Sequence, residues 1–121
     1  MMARISPDVL EAALVGSADP LAADLLGRLR RGSSAPTSTA TRPYPAAEAL
    51  GVYRRKAARG DRPNVRTEGY AELLGALSRA SHGEVIVHGV AFADVVYLVF
   101  TDPARTRCVG VLRKTRIPSP R

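Results

Sequence analysis

The sequence predicts an α+β fold, with about four helices followed by a three-stranded, mainly antiparallel C-terminal sheet. Up to about residue 82, apolar residues recur at helical spacing, between residues that suit helix ends. From Gly83 onward, β-branched and aromatic residues prevail in the segments EVIVHGV, DVVYLVFT and RTRCVGVLRK. Asp102 followed by Pro103 is typical of a type I turn, so the last two segments are expected to form an antiparallel hairpin.

Residues 1–32 are predicted to form an N-terminal helical hairpin. Each of its helices begins with a side chain that can accept hydrogen bonds from free backbone amides, Ser6 in the first and Asp19 in the second. In each case a proline follows at the next position. The second helix is expected to end at Gly32, after arginines whose charge suits a helix C-terminus.

The remaining chain divides into a connection and a core. Residues 33–45, SSAPTSTATRPYP, offer little to bury, which is typical of a linker or an exposed loop. Residues 46–121 are predicted to form an α+β core, and the whole chain is short enough to be a single domain. A third helix is expected over 46–59, and a fourth from a cap at Thr67 to Gly83.

The central predicted strand, DVVYLVFT, is apolar on both faces. Because successive side chains of a strand point to opposite faces, one face carries Val96, Leu98 and Phe100 and the other carries Val95, Tyr97 and Val99. Such a strand is normally covered on both faces, so either helices flank the sheet on two sides or another subunit covers one face. The second alternative predicts a homodimer or another homo-oligomer.

Composition indicates the cellular environment. Cys108 is the single cysteine, so no internal disulfide can form, and this fits a reducing compartment. We find no apolar signal segment, and the longest apolar run is short and interrupted by Asp94. We therefore expect a cytoplasmic protein without a membrane partner. No motif for binding a nucleotide phosphate is present, and no cofactor is expected.

The formal net charge of +7 is concentrated in two basic blocks. Residues 54–66 hold six basic side chains and one acidic side chain, and residues 101–121 hold the same numbers. If the two blocks meet in the fold, their cations can contact the phosphates of a nucleic acid or the charges of another polyanion. The predicted contact residues are Arg54, Arg55, Lys56, Arg59, Arg62, Arg66, Arg113, Lys114 and Arg116.

A second interpretation of these cations stays open. They can pair with acidic side chains such as Glu68, Glu72 and Glu84, or they can simply be solvated. No aromatic side chains alternate with the basic residues of the second block, so sequence-specific recognition of bases is not expected.

Few residues are candidates for catalysis or metal binding. His88 and Cys108 are predicted on strands of one sheet, but two ligands without a third make a poor zinc site, and no metal is predicted. His82 is expected near the last carbonyls of the fourth helix, and Asp94 is expected in a turn. The tyrosines expected in the core are Tyr70 and Tyr97.

The segment VVYLVFTDPARTRCVGVLRKTR, residues 95–116, is similar to the C-terminal hairpin of the small toxin ribonucleases of toxin–antitoxin systems. That hairpin also has an apolar strand, a charged turn and a basic strand. The fold of that family begins with a strand before its helices, whereas helices come first in the order predicted here. The resemblance covers 22 residues and assigns no catalytic residue.

The predicted function is that of a small basic binding or regulatory protein that contacts nucleic acid or another polyanion, without reading specific bases and without catalysis. One alternative is a protein–protein interaction module that acts through an apolar sheet face. Another is a small toxin-like ribonuclease, which would need Tyr97, His88 or an arginine close to a scissile phosphate.

Overall fold

The computed structural model describes residues 3–32 and 35–117, which form one antiparallel sheet with four α-helices. A turn of 3-10 helix (Pro7–Leu10) precedes the helices α1 (Glu11–Val15), α2 (Pro20–Arg31), α3 (Ala46–Arg59) and α4 (Tyr70–Arg79). The strands are β1 (Ala3–Arg4), β2 (Thr37–Ala40), β3 (Tyr44–Pro45), β4 (Val65–Glu68), β5 (Glu84–Ala91), β6 (Val95–Thr101) and β7 (Cys108–Arg116). None of the helices in the described ranges is both long and apolar enough to cross a membrane.

The strands lie in the order β1-β2-β5-β6-β7-β4, and β3 also pairs with β5. β2 and β3 follow one another along β5, with a short interruption between them. Thr41 bridges that interruption, since its N–H donates to the Val87 carbonyl and its hydroxyl accepts from the Val87 N–H, both at 3.0 Å. The two short strands therefore act as one interrupted strand.

The predicted three-stranded sheet is wrong, because seven strands form within the described residues, whereas the α+β class is confirmed. β5, β6 and β7 lie where strands are predicted, and β1 to β4 are additional. Two of these additional strands lie within the segment 33–45. Each has two to four residues, too few to show alternation, and they are ordered by pairing with β5 or β7 or, for β1, with β2. That pairing is a tertiary effect with no local pattern.

Side-chain caps support two predicted helix starts. The Asp8 N–H donates to Ser6 Oγ at 3.3 Å, and the Leu21 N–H donates to Asp19 Oδ1 at 2.9 Å. The predicted cap of the fourth helix is wrong, because Thr67 lies in β4 and α4 begins only after Gly69. Gly69 has a φ of 103°, which turns the chain from the strand into the helix.

Helices cover both faces of the sheet. One hydrophobic cluster joins α1 and α2 to Tyr97 and Val99 of β6, and a second joins α3 and α4 to Phe100 and to the partly buried Leu98. Alternate side chains of β6 thus enter different clusters, as expected when helices flank a sheet on two sides. The described residues leave no open apolar sheet face, so the two apolar faces of β6 give no reason to expect a homodimer or a sheet-mediated interaction.

β6 and β7 form the predicted antiparallel hairpin, although β7 begins later than predicted. The connecting turn is held by Asp102, whose carbonyl accepts from the Arg105 N–H at 3.0 Å. The carboxylate of Asp102 accepts from the N–H groups of Thr106 and Arg107, each at 2.8 Å. These bonds shape the turn without any contribution from the arginine side chains.

Strand β4 lies at one end of the sheet, next to β7. In antiparallel pairing, the N–H groups of alternate residues point away from the partner strand. The Val65 N–H donates to the Arg62 carbonyl at 3.1 Å, and the Thr67 N–H donates to the Asp61 carboxylate at 2.8 Å. Both acceptors belong to the loop before β4, so this loop lies along the strand.

Candidate functional site

Cations from both basic blocks line one cavity of about 640 Å³. Lys56, Arg59 and Arg62 belong to the first block, and Lys114 belongs to the second. The cavity lies where the end of α3, the loop before β4 and strand β7 meet. These four residues, named here the basic cavity cations, are the predicted contact residues that the fold brings together.

The end of α3 places Lys56 and Arg59 side by side, because residues three apart lie on the same side of a helix. Gly60, with a φ of 78°, ends the helix immediately afterwards. The chain then turns back towards the sheet, which brings Arg62 to the same cavity. The Lys56 ammonium nitrogen lies 5.7 Å from the centre of the Tyr53 ring, a cation–π contact that orients the side chain.

Lys114 reaches the cavity from β7, where it pairs with Thr67 of β4. Burial lowers the pKa of Lys114, and the charge of Lys56 lowers it further, whereas Asp61 acts in the opposite direction. A partly desolvated ammonium group beside another cation is stabilised when an anion binds close to both. Lys114 is therefore the strongest candidate for direct contact with a phosphate.

Asp61 and Tyr70 complete the polar lining of the cavity. Asp61 accepts hydrogen bonds from the hydroxyl and N–H of Thr67, and these bonds hold its pKa below its usual range. Its fixed negative charge offsets part of the charge of the four cations. Tyr70 is partly buried and contributes an aromatic ring, and burial raises the pKa of its hydroxyl.

The basic cavity cations form no salt bridge with any carboxylate of the described residues. Pairing with Glu68, Glu72 and Glu84 is the alternative interpretation of the predicted contact residues. It holds for Arg113, which pairs with Glu68, but for none of the four basic cavity cations. Glu72 and Glu84 have no salt bridge within the part of the chain that the structure describes. The positive charge that Asp61 does not offset is thus available to a ligand.

Arg54 and Arg55 are exposed but are not among the described residues that line the cavity. Arg54 lies about 160° around α3 from Lys56, given 100° per residue. The Arg55 guanidinium lies against Gly51, one turn earlier in the helix. Two neighbouring arginines of the same helix therefore lie outside the cavity that Lys56 and Arg59 enter.

Arg66 and Arg116 lie near the cavity without lining it. Arg66 is adjacent in β4 to Thr67, the partner of Lys114, so Arg66 and Lys114 point to opposite faces of the sheet. Arg116 lines a smaller neighbouring cavity of about 180 Å³, which it shares with Lys114. Of the two, Arg116 is the one positioned to extend the basic surface.

Arg113 is held in a network on the opposite face of the sheet. Its guanidinium donates to Asp24 of α2 at 3.0 Å and to both carboxylate oxygens of Glu68 at 2.9 Å. The fully buried Tyr97 also donates its hydroxyl to Asp24. The Tyr97 hydrogen bond is the main cause that lowers the pKa of Asp24, and Arg113 adds to it. This network fastens α2 to the sheet.

Replacing Arg113 with glutamine is expected to destabilise the protein by about 1 kcal/mol, because two partly exposed carboxylates lose a charged hydrogen-bond partner. Urea unfolding measures this change. Nucleic-acid affinity is expected to fall no more than in Arg54→Gln, which removes the same charge from a surface outside the cavity. Unchanged stability with a tenfold loss of affinity would instead place Arg113 in the binding site.

His88 and Tyr97 are both fully buried, unlike the exposed acid or base that the ribonuclease alternative requires. His88 Nε2 lies 3.0 Å from Thr101 Oγ1, and that hydroxyl donates to the Asp102 carbonyl. Nε2 therefore carries the proton of a neutral imidazole. Burial, together with the charge of Arg105, lowers the pKa of His88 to about 4.

The other residues considered for catalysis or metal binding are Cys108, Asp94 and His82, and none of them lines the basic cavity. Burial raises the pKa of the Cys108 thiol to about 11, so the thiol is protonated at neutral pH. Asp94 is exposed in the connection between β5 and β6 and pairs with Arg28 at 3.1 Å, while His82 is exposed after α4. No group of three or more potential metal ligands occurs among the described residues.

Tyr70 is the cavity residue that the sequence analysis assigns elsewhere. It lies on the apolar stripe of α4 and packs partly against the core, as predicted, but it also lines the basic cavity. The position of Tyr70 just after Gly69 is the one sequence feature that indicates a place in the cavity, since the first turn of a helix lies close to the loop before it. The local pattern does not show which loop supplies cations to that turn.

Comparisons with protein-family models, with curated proteins and with solved structures found no match.

Proposed function

We propose that this protein binds the phosphate backbone of nucleic acids at the basic cavity. The convergence of Lys56, Arg59, Arg62 and Lys114, without a salt bridge to any described carboxylate, carries the proposal. Cations from separate segments that face one cavity can each replace a counterion of the backbone, which gives salt-dependent affinity.

Tyr70 makes single strands the favoured ligand. Its partly buried ring lies in the same cavity as the cations, and an unstacked base can lie on such a ring while neighbouring phosphates contact the cations. Bases in a duplex are already stacked and have no free face to offer. Because stacking tolerates every base, this arrangement favours binding without sequence preference.

The lining groups suit binding better than cleavage. The described lining of the cavity contains no histidine, and the Asp61 carboxylate is engaged by Thr67. The cavity thus supplies charge and an aromatic surface, without the histidine or free carboxylate that most often exchanges protons with a substrate. These lining groups support a non-enzymatic binding or regulatory role.

The test is fluorescence anisotropy with fluorescein-labelled single-stranded RNA and duplex DNA at several salt concentrations. Replacing both Lys56 and Arg59 with glutamine is expected to lower affinity about tenfold at low salt. The slope of log K against log salt is expected to become shallower by about 1.4 for single-stranded RNA and by about 1.8 for duplex DNA, because two phosphate contacts are lost. Gel analysis of the recovered probes would reveal any cleavage.

The matched control is Arg54→Gln with Arg55→Gln, which removes the same charge from the same helix outside the cavity. Its affinity is expected to stay within about threefold of the unmodified protein, since only long-range attraction is reduced. Equal losses in the two double variants would show that overall charge, and not the cavity, binds the probe. Absence of binding at low salt would refute the proposal.

A further inference from the structure

A second cavity, of about 740 Å³, lies at the other end of the sheet. Three arginines from three separate segments line it: Arg4 of β1, Arg42 between β2 and β3, and Arg105 in the turn between β6 and β7. No carboxylate is among its lining residues in the described structure. The cavity therefore has a concentrated positive charge that its own lining does not neutralise.

The rest of the lining is mostly apolar. Ala3, Ile5, Ala40 and Pro43 contribute aliphatic surface, and Tyr44 contributes a partly buried aromatic ring. Within residues 3–32 and 35–117, the three arginines form no salt bridge. A ligand that fits such a lining has a strongly anionic end and an apolar body.

Arg105 shows the clearest sign of a role beyond the fold. Its φ is 59°, a left-handed conformation that costs a residue with a side chain more than it costs glycine. Its Nε is buried and has no hydrogen-bond partner in the described chain. The turn is already held by Asp102 and backbone groups, so the fold itself does not require an arginine there.

We propose that this cavity binds the phosphate group of a small phosphate monoester with an apolar or aromatic body. A phosphate dianion offers several acceptor oxygens to three guanidinium groups and matches their charge better than a single carboxylate does. The ester substituent lies against the apolar lining and the Tyr44 ring.

This site is separate from the basic cavity. The two cavities have no lining residue in common among those described: the basic cavity lies against β4 and β7, whereas the second lies against β1, β2 and the turn between β6 and β7. The inference consequently stands or falls independently of the nucleic-acid proposal.

The probe is phenyl phosphate, titrated at low salt and followed by isothermal calorimetry and by amide resonances of the labelled protein. Binding is expected with resonance shifts confined to the cavity lining, residues 3–5, 40–42, 44 and 105. Benzoate, with the same ring and one negative charge, is expected to bind at least tenfold more weakly. Equal binding of benzoate would overturn the phosphate assignment, and no binding of phenyl phosphate at millimolar concentration would overturn the site.

Arg105→Gly is expected to abolish binding of phenyl phosphate while the melting temperature stays the same or rises, because glycine relieves the positive φ. Arg107→Gln is the matched control, since it removes a charge from the same turn but Arg107 does not line this cavity. An equal loss of affinity in both variants would contradict the proposal. Arg42→Gln, at an exposed position, is expected to weaken binding at least fivefold and tests the site even if Arg105→Gly fails to fold.

Cross-tests separate the two sites. Arg105→Gly is expected to leave single-stranded RNA affinity within about threefold, and the Lys56 and Arg59 double variant is expected to bind phenyl phosphate normally. If phenyl phosphate binding is lost in the double variant but kept in Arg105→Gly, the monoester occupies the basic cavity and the second site is refuted.

Discussion

Replacing Gly69 with alanine is expected to destabilise the protein by about 3 kcal/mol or more. Gly69 joins β4 to α4 at a φ of 103°, which side chains rarely permit. A Cβ at this position would lie 2.5 Å from the Val111 carbonyl oxygen and 2.9 Å from Leu21 Cδ1. The Leu21 side chain can move, but the Val111 carbonyl belongs to the backbone of the central sheet, so both the strain and the clash oppose folding.

Gly75→Ala is the matched control, in the middle of the helix that Gly69 begins. Its added Cβ would meet only the flexible end of Arg79, at 3.4 Å. Alanine is a better helix former than glycine, so this variant is expected to be more stable by up to about 1 kcal/mol. Urea unfolding distinguishes the two signs. Equal stabilities would show that the chain at Gly69 is not held as described.

Acid is expected to destabilise the protein through His88 before the carboxylates titrate. Its pKa is lowered to about 4 in the folded protein, against an ordinary value of 6.5. Between pH 6.5 and pH 4 the imidazole binds a proton in the unfolded chain but stays neutral in the folded protein, so the free energy of unfolding decreases as the pH falls from 6.5. At pH 5 the loss relative to neutral pH is expected to be about 2 kcal/mol.

The measurement is urea unfolding at several pH values from 7 to 5, for the unmodified protein and for His88→Gln. Glutamine does not titrate, so the decrease over this interval is expected to be nearly absent, whatever the stability of the variant at pH 7. His82→Gln is the control, because His82 is exposed and its removal is expected to leave the decrease in place. A decrease that persists in His88→Gln would assign it to other groups.

Local chemistry makes much of the fold predictable from the sequence. Ser6 and Asp19 cap helix starts because their side chains accept from nearby amides, and the β-branched residues after Gly83 form the long strands. Helix caps and the preference of β-branched residues for strands both depend on a few neighbouring residues. The prediction for Thr67 is wrong because it relies on local chemistry alone. The Thr67 side chain suits a helix cap, but pairing with Lys114 places the residue in a strand.

The site is only partly predictable, because convergence is a property of the tertiary structure. The sequence shows two basic blocks but not which members meet. Arg113 and Lys114 are neighbours, yet alternation along β7 sends one to Asp24 and Glu68 and the other to the basic cavity. The register of β7 is set by pairing with β6 and β4, which no count of charges reveals.

The loop that lies along β4 has a consequence for self-association. An outer strand with free N–H groups is a template on which another chain can add a strand and begin aggregation. Here the outward N–H groups of Val65 and Thr67 are occupied by Arg62 and Asp61. Asp61 is also the carboxylate that weakens the charge of the basic cavity. Alanine there would make the cavity more attractive to phosphate while leaving the Thr67 N–H open to another chain, so tighter binding and resistance to aggregation are opposed at one side chain.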